Sequence, residues 1–255
     1  LAKPFFTDDS FVESLAQEAY QRSKIAIRAS HILIKIDETA SAEDTLYAYE
    51  KLSLIRDSIM KGASFQNLAR KNSQDPSAQR PKGQAGADGD LGYFSVMRMV
   101  YPFENAAYAT SVGKTSEIFR TKFGYHILQV TEKRDMNYKA DVSHIMLLAP
   151  NQQNPTDSIK SKEAIDRIYQ LLEYNASWDS LCLIYSDDQK TKQNGGQIPS
   201  FTIGGKLGVA EFEIAAYDLK EIGDISEPIK TPYGWHIIKL NAKEPFKTYE
   251  EVKKE

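Results

Sequence analysis

The sequence predicts an α+β protein built as two tandem copies of one small unit. Three observations carry this expectation. The four histidines fall into two like pairs, His31 with His126 and His144 with His236, separated by 95 and 92 residues. Their surroundings match as well: Ala29-Ser30-His31-Ile32-Leu33-Ile34 resembles Val142-Ser143-His144-Ile145-Met146-Leu147, and Gly124-Tyr125-His126-Ile127-Leu128 resembles Gly234-Trp235-His236-Ile237-Ile238. Between these landmarks the register runs without a gap at an offset of 113, which lays Ser64-Phe65 on Ser177-Trp178, Leu68 on Leu181, and Ser73-Gln74-Asp75 on Ser186-Asp187-Asp188. A chain of 255 residues has room for two cores of ordinary size, and self-similarity at a fixed offset is the mark of a repeated structural unit.

The elements follow in order. Residues 8–27 place Phe11, Leu15, Ala19 and Ile25 on a helical face with Thr7 or Asp8 as cap, which reads as the last helix of a longer chain. The start at Leu1, with no basic or apolar leader, fits a processed or excised piece. Ile32–Ile36 and Ile145–Leu148 are short apolar runs that suit buried strands. A helix follows each: Ala48, Leu52, Ile55 and Ile59, opened by Ser41 and Asp44 and stopped by Gly62, then Ala164, Ile168 and Leu171 in the second copy. Ser64 and Ser177 cap a second, shorter helix whose apolar face is Phe65, Leu68 and Ala69, or Trp178, Leu181 and Cys182. Cys182 thus reads as a small core residue. The offset then falls to 107 at Phe94 and Phe201, so the first copy carries six extra loop residues, expected within 78–89. Glycines 83, 86, 89 and 92 read as a flexible loop. The offset recovers to 109 at Phe103-Glu104 and Phe212-Glu213 and to 110 at Thr121 and Thr231, ahead of closing strands Tyr125–Val130 and Trp235–Leu240. The expected division is a helix and linker at 1–28, units at 29–134 and 140–243, a polar link at 135–139, and a tail at 244–255 in which Thr248 caps a further helix.

Composition and motifs exclude several chemistries. With 32 Lys+Arg against 35 Asp+Glu the net charge is -3, which offers no basic field for nucleic acid. A single cysteine rules out an internal disulfide framework and a cysteine-based zinc site. Apolar runs fall far short of the roughly 18 residues of a membrane span, so no membrane insertion is expected of this segment. Gly-x-Ser-x-Gly and His-Glu-x-x-His are absent, and Gly205-Lys206 fails as a phosphate loop because Leu207 stands where Ser or Thr is required.

What survives is a constellation of two strand histidines, a carboxylate after a helix and apolar residues between. The strings Ser30-His31-Ile32-Leu33, Ser73-Gln74-Asp75-Pro76-Ser77-Ala78, Gly89-Asp90-Leu91-Gly92-Tyr93-Phe94, Met99-x-x-Pro102-Phe103-Glu104 and Thr121-x-x-Gly124-Tyr125-His126 resemble the parvulin family of peptidyl-prolyl isomerases. The likeness runs through both repeats, from Ala29 to about Lys243, and a leading helix before two such units is similar to bacterial extracytoplasmic folding factors of the SurA type. It implies a small antiparallel sheet of about four strands wrapped by helices, paired histidines at its centre, no cofactor, no metal, and a periplasmic or otherwise extracytoplasmic setting.

Carried over residue by residue, the resemblance gives His31, Asp75, Thr121 and His126 as the central network of the first unit. Leu91, Met99 and Phe103 form the cup for the substrate proline, adjoined by Phe94 and Phe123. The second unit keeps His144, Asp188, Thr231, His236 and Phe212, with Ile198 and Phe201 in the place of Leu91 and Phe94. It departs where Gly89-Asp90-Leu91-Gly92 becomes Gly196-Gln197-Ile198-Pro199, and the Met99 position falls at Leu207 or Gly208. The implied activity is isomerisation of Xaa-Pro bonds in unfolded or extended client polypeptides, with a client-holding chaperone or a purely structural repeat as the alternatives. The histidine pair fits either a catalytic role or a mutual hydrogen bond that holds the sheet. Asp37, Glu38, Glu43 and Asp44 after the first strand argue against phosphate-directed selection and leave apolar or aromatic neighbours of proline as the expected preference.

Overall fold

The computed structural model describes residues 9–80, 87–148, 155–205 and 207–254, and the side chains of 155–158 lie outside that description. The chain forms two compact units, Leu1–Met136 and Asn137–Glu255. Thr7, Asp8, Gly83, Gly86 and most of the expected six-residue insertion fall outside the described residues.

The first unit opens with helix α1 (Asp9–Arg22) and continues through β1 (Ile25–Lys35), α2 (Ala42–Met60), α3 (Phe65–Asn72), β2 (Asp90–Phe94), α4 (Tyr101–Ala109), β3 (Phe119–Thr121) and β4 (Gly124–Asp135). Its sheet is fully antiparallel in the order β2-β1-β4-β3, which puts the two histidine strands at the centre. The pleat sends alternate residues to opposite faces. Ile32, Ile34 and Ile127 meet Ala48, Leu52 and Ile55 of α2 and Phe65 and Ala69 of α3 on one side. Ile27, Ala29, Leu128 and Val130 meet Phe103 and Ala107 of α4, together with Phe94, on the other. Because both faces are covered, β1 reads as a continuous apolar run instead of an alternating one.

The second unit repeats this order: β5 (Tyr138–Leu148), α5 (Pro155–Glu173), α6 (Trp178–Tyr185), β6 (Gln197–Phe201), α7 (Ala210–Asp218), β7 (Ile229–Thr231), β8 (Gly234–Pro245) and a last short helix α8 (Tyr249–Val252), with sheet order β6-β5-β8-β7. Ile145 and Ile237 pack on Ile165, Ile168, Trp178, Leu181 and Cys182, and Val142, Ile238 and Leu240 pack on Phe212 and Ala216. The serine caps act as expected: Ser41, Ser64 and Ser177 accept from the amides of Asp44, Asn67 and Ser180, and Thr248 forms a capping box with Glu251. Among the described residues no helix is long and apolar enough to cross a membrane.

Several local expectations are corrected. Ile25 belongs to β1, not to the first helix, because pairing with Asp135 extends the strand seven residues ahead of Ile32. The buried face of α5 is Ile165, Ile168 and partly buried Leu172. Ala164 and Leu171 are exposed, since the branched side chains take the inward stripe. Tyr138 and Lys139 form no link, for they pair with Pro245 and Glu244 in the β5–β8 ladder. Gly89 is not a loose loop residue: at φ +81° its missing Cβ would lie 2.6 Å from the His31 carbonyl oxygen, and Gly196 makes the same close approach to His144. Gly92 lies within β2.

Candidate active site

His31 on β1 pairs across the ladder with Leu128, and His126 on β4 with Leu33, so the two histidines are diagonal neighbours on the α4 face. Their rings stack at 5.8 Å between centroids. The segment after α3 is tied to the end of β1 by the Gln74 amide on the Leu33 carbonyl (2.8 Å) and by the Leu33 amide on Ser73 Oγ (3.1 Å), which delivers Asp75 beside His31. Asp75 accepts from the Ser77 amide at 2.8 Å, capping the 3-10 turn Pro76–Gln79. Its separation from His31 Nε2 is 3.5 Å, an ion-pair distance and longer than a formed hydrogen bond. The imidazole beside it, helped by Ser77 and opposed by burial, holds Asp75 well below the usual carboxylate range. Thr121 Oγ1 accepts from the Phe123 amide and lies 2.8 Å from His126 Nε2. His126 is pushed down to about 4, first by burial and then by the neighbouring His31, against the pull of Asp75.

The second unit closes the same network. Thr231 Oγ1 lies 2.8 Å from His236 Nε2, the two histidine Nδ1 atoms are 3.2 Å apart, and His144 Nε2 lies 2.9 Å from Asp188. Satisfying every partner assigns the protons: the Thr231 hydroxyl donates to His236 Nε2, His236 Nδ1–H to His144 Nδ1, and His144 Nε2–H to Asp188. Thr191, which the sequence did not single out, donates its hydroxyl to Asp188 at 2.6 Å. Burial would raise Asp188, but the bonds from Thr191, His144 and the Lys190 amide prevail and lower it. Burial lowers His144 despite Asp188, and it drives His236 down to about 3, with His144 adding to the shift and Asp188 opposing it. Both imidazoles are therefore neutral at ordinary pH. In the first unit, by contrast, His31 Nδ1 and His126 Nδ1 have no hydrogen-bond partner among the described protein groups.

An open cleft of about 1040 Å³ lies against the first pair. Leu91, Met99, Phe103 and Phe123 line it with His31, Asp75 and His126, so the structure brings together most of the residues expected there. Phe103 is the floor: it is 4% exposed and meets both histidines edge-on, at 5.5 Å and 5.8 Å between centroids. Phe94 does not adjoin the cleft. It is buried behind Phe103 at 6.1 Å, in the core that supports the cup. In the second unit Phe212 likewise meets His144 at 5.6 Å and His236 at 5.5 Å, with Phe201 behind it and Ile198 packed on the same core. The open position there is resolved by the helix starts: Met99 directly precedes Val100, the N-cap of α4, and Gly208 directly precedes Val209, the N-cap of α7. Gly208, which has no side chain, stands at the place of Met99.

Two further features went unread in the sequence. Phe119 on β3 stacks on His126 at 5.3 Å, where the second unit has Ile229. Glu104 and Glu213 are buried, and each holds the loop ahead of its helix by backbone amides. Glu104 Oε1 accepts from Arg98 (2.9 Å) and Met99 (3.1 Å), whereas Glu213 accepts from Gly204 on Oε2 (2.6 Å) and Gly208 on Oε1 (2.8 Å). The recurrence of Phe-Glu at an offset of 109 was the available signal. The charged rim, which includes Lys35, Arg98 and Lys122, was also not anticipated.

A four-stranded antiparallel sheet with helices on both faces, central paired histidines and a phenylalanine seated on them define a parvulin-like fold, present twice. Family models agree: one described as a PPIC-type PPIase domain matches residues 15–134, and a second with the same description matches 144–242. The chain belongs to the PPIC-type peptidyl-prolyl isomerase family and carries two of its domains in tandem. Foldase protein PrsA of Geobacillus kaustophilus is 39% identical over 126 residues, 49% of this chain and 38% of its own. Chaperone SurA of Pseudomonas savastanoi pv. phaseolicola is 27% identical over 244 residues, 93% of this chain and 52% of its own. Among solved structures, the peptidylprolyl isomerase PrsA of Bacillus cereus is 36% identical, covering 46% of this chain and 40% of its own, with a TM-score of 0.38. The chain thus spans about half the length, or less, of these curated relatives.

Proposed function

We propose that residues 29–134 are a working peptidyl-prolyl cis-trans isomerase on extended client polypeptides, and that residues 140–243 bind such segments with little turnover. The observation that carries this reading is the unequal cup: Leu91, Met99 and Phe103 surround one face of the first histidine pair, while Gly208 leaves the second pair without the Met99 wall. The chemistry needs neither nucleophile nor cofactor. Rotation about an Xaa-Pro bond is slow because amide resonance must be lost on twisting, at a barrier of about 20 kcal/mol. The planar amide is the more dipolar state, so a pocket that buries the proline ring on apolar walls and keeps water from the carbonyl favours the twisted form. His126 beneath the cup, which burial keeps from taking up a proton, suits that role, since it presents no full charge to the planar amide. We assign Asp75 to orienting His31 and Thr121 to orienting His126, with no proton transfer to substrate.

A folding-chaperone role stands as the second reading, favoured by the altered cup of the second unit and by the relative named as a chaperone. We place the protein outside the cytoplasm, on the resemblance to extracytoplasmic folding factors. The test is a protease-free isomerisation assay of the whole chain on short Xaa-Pro peptides. Turnover well above the uncatalysed rate is expected, and its absence, with peptide binding intact, would leave the chaperone reading in its place.

A further inference from the structure

Resting on the isomerase reading of the first unit, we propose that its cleft selects prolines flanked by an acidic side chain, with Arg98 and Lys122 reading the carboxylate. Each is the chain neighbour of a cup residue, Arg98 of Met99 and Lys122 of Phe123, and both line the cleft. Arg98 stands apart from the other arginines of this unit. Arg22, Arg28, Arg56, Arg70 and Arg134 are each paired with a carboxylate, Arg120 lies over the Tyr125 ring, and Arg80 also has an interaction partner. The Arg98 guanidinium has no ion pair among the described residues, yet its backbone is fixed, because its amide is held by the buried Glu104. Among the described residues Lys122 Nζ likewise has no carboxylate partner, and it lies 5.2 Å from the centre of the Phe123 ring. An unpaired cation beside an apolar cup attracts an anion more strongly than one on an open surface, since the cup displaces part of the screening water.

The other charges of the cleft set the limit of this selectivity. Lys35 adds a third cation, and Asp37, Glu38 and Asp75 are the anions. Asp37 accepts from the amide and hydroxyl of its neighbour Thr39, and Asp75 accepts from Ser77, so two of the three are occupied locally. Their charge remains, and it opposes a dianionic phosphoryl group more than a single carboxylate. The second unit serves as an internal control. Where its cup loses Met99 to Gly208, Leu207 replaces Arg98, Pro232 replaces Lys122 and Leu148 replaces Lys35. At these matched positions the second unit has neither the cations nor the Met99 wall, as expected if they serve one ligand. The apolar flanks expected from sequence overlook these groups, because neither lies in the loop after the first strand.

The test uses the whole chain and peptides identical except beside proline, carrying Glu, Gln, Leu or phosphoserine, placed before the proline in one set and after it in another. Partly solvated charge pairs of this kind support about a threefold to tenfold preference for Glu over Gln in kcat/KM at low salt, in at least one set. This ratio is expected to fall toward one at about 1 M NaCl and in Arg98→Met/Lys122→Met. Equal turnover of Glu and Gln peptides in both sets, or a Glu preference that survives the double substitution, would overturn the inference while leaving the isomerase intact. A phosphoserine peptide turned over faster than the Glu peptide would overturn the carboxylate assignment. No turnover on any peptide would instead overturn the isomerase reading, and this inference with it.

Discussion

Phe103 and Phe212 form a matched pair that separates the stability of the fold from the activity of the cup. Each is almost fully buried, at 4% and 3% exposure, and each rests edge-on against two histidines at 5.5–5.8 Å. Truncation to alanine removes a buried ring and leaves a cavity, at a cost of about 3–5 kcal/mol in either unit. A domain of this size has about 5–15 kcal/mol to lose, so both variants are expected to remain folded, with the transition of the affected unit lowered by about 10–20 °C. Activity should not be matched. In the first unit the ring is the floor on which the proline is buried, and loss of one buried aromatic contact of about 2 kcal/mol reduces kcat/KM about thirtyfold. Phe212→Ala should leave turnover of a short Xaa-Pro peptide within about twofold of the parent. The assay is protease-free isomerisation by the whole chain, run below both unfolding transitions, with circular dichroism melts as the control. Equal loss of activity in the two variants, or a greater loss in Phe212→Ala, would refute the assignment of turnover to the first cup.

The buried glutamates predict a second asymmetry. Because both amides bond to one oxygen of Glu104, the carbonyl of Glu104→Gln can replace it, at a cost of about 1–2 kcal/mol for the lost charge. Glu213 uses both oxygens, so Glu213→Gln sets an NH2 group against an amide N–H and should cost about 2–4 kcal/mol; urea unfolding that ranks the two equally would contradict this. A third prediction concerns pH. His126 and His236 are depressed to about 4 and about 3, so below their unfolded value of about 6.5 the unfolded chain binds protons that the native units refuse. Stability should be full above about pH 6.5 and fall by on the order of 2–3 kcal/mol per unit as pH drops toward 4. Depressed Asp75 and Asp188 add a further loss below about pH 4. A urea midpoint that stays constant between pH 7 and 4.5 would exclude this.

The repeat made the central strands, the helices and the place of both histidine pairs legible, because a buried histidine with the same neighbours at the same offset constrains where it sits; the bond between the two rings forms only in the second unit. The parts that stayed hidden are those decided by long-range pairing. Nothing local marks Ile25 or Tyr138 as strand residues, since each is placed by its partner, Asp135 or Pro245, more than a hundred residues away. Gly89 read as a loop residue because its close approach to the His31 carbonyl exists only once β2 lies against β1. Phe94 lies on the same face as the histidines, but its pairing with Ile27, four residues before His31 on β1, puts it in the core behind Phe103. Thr191 lay just outside the aligned Ser186-Asp187-Asp188 string, and its hydroxyl matters only because the turn after α6 brings it back onto Asp188.

The two units also bear on what the histidine network is for. The chain Thr231–His236–His144–Asp188–Thr191 is closed in the unit whose cup is cut away, and it is looser in the unit whose cup is complete. A network needed only to serve the cup would have little reason to be tighter where the cup lacks its Met99 wall. Two imidazoles at the centre of a buried sheet, on the other hand, are costly to leave without partners whatever lies outside. This argues that the carboxylate stabilises the fold more where it is more tightly bonded. Asp188→Ala leaves the buried His144 Nε2–H only its longer contact to Thr191 Oγ1 at 3.3 Å, at a cost of about 1–3 kcal/mol. Asp75→Ala loses the Ser77 cap, about 1 kcal/mol, and a His31 contact already stretched to 3.5 Å. The expected order of destabilisation is therefore Asp188→Ala above Asp75→Ala, with peptide turnover reduced only by Asp75→Ala. Chemical unfolding of the two variants decides it: equal destabilisation would mean that the difference between 2.9 Å and 3.5 Å carries no energetic weight. Loss of turnover in Asp188→Ala would restore the second histidine pair to a catalytic role.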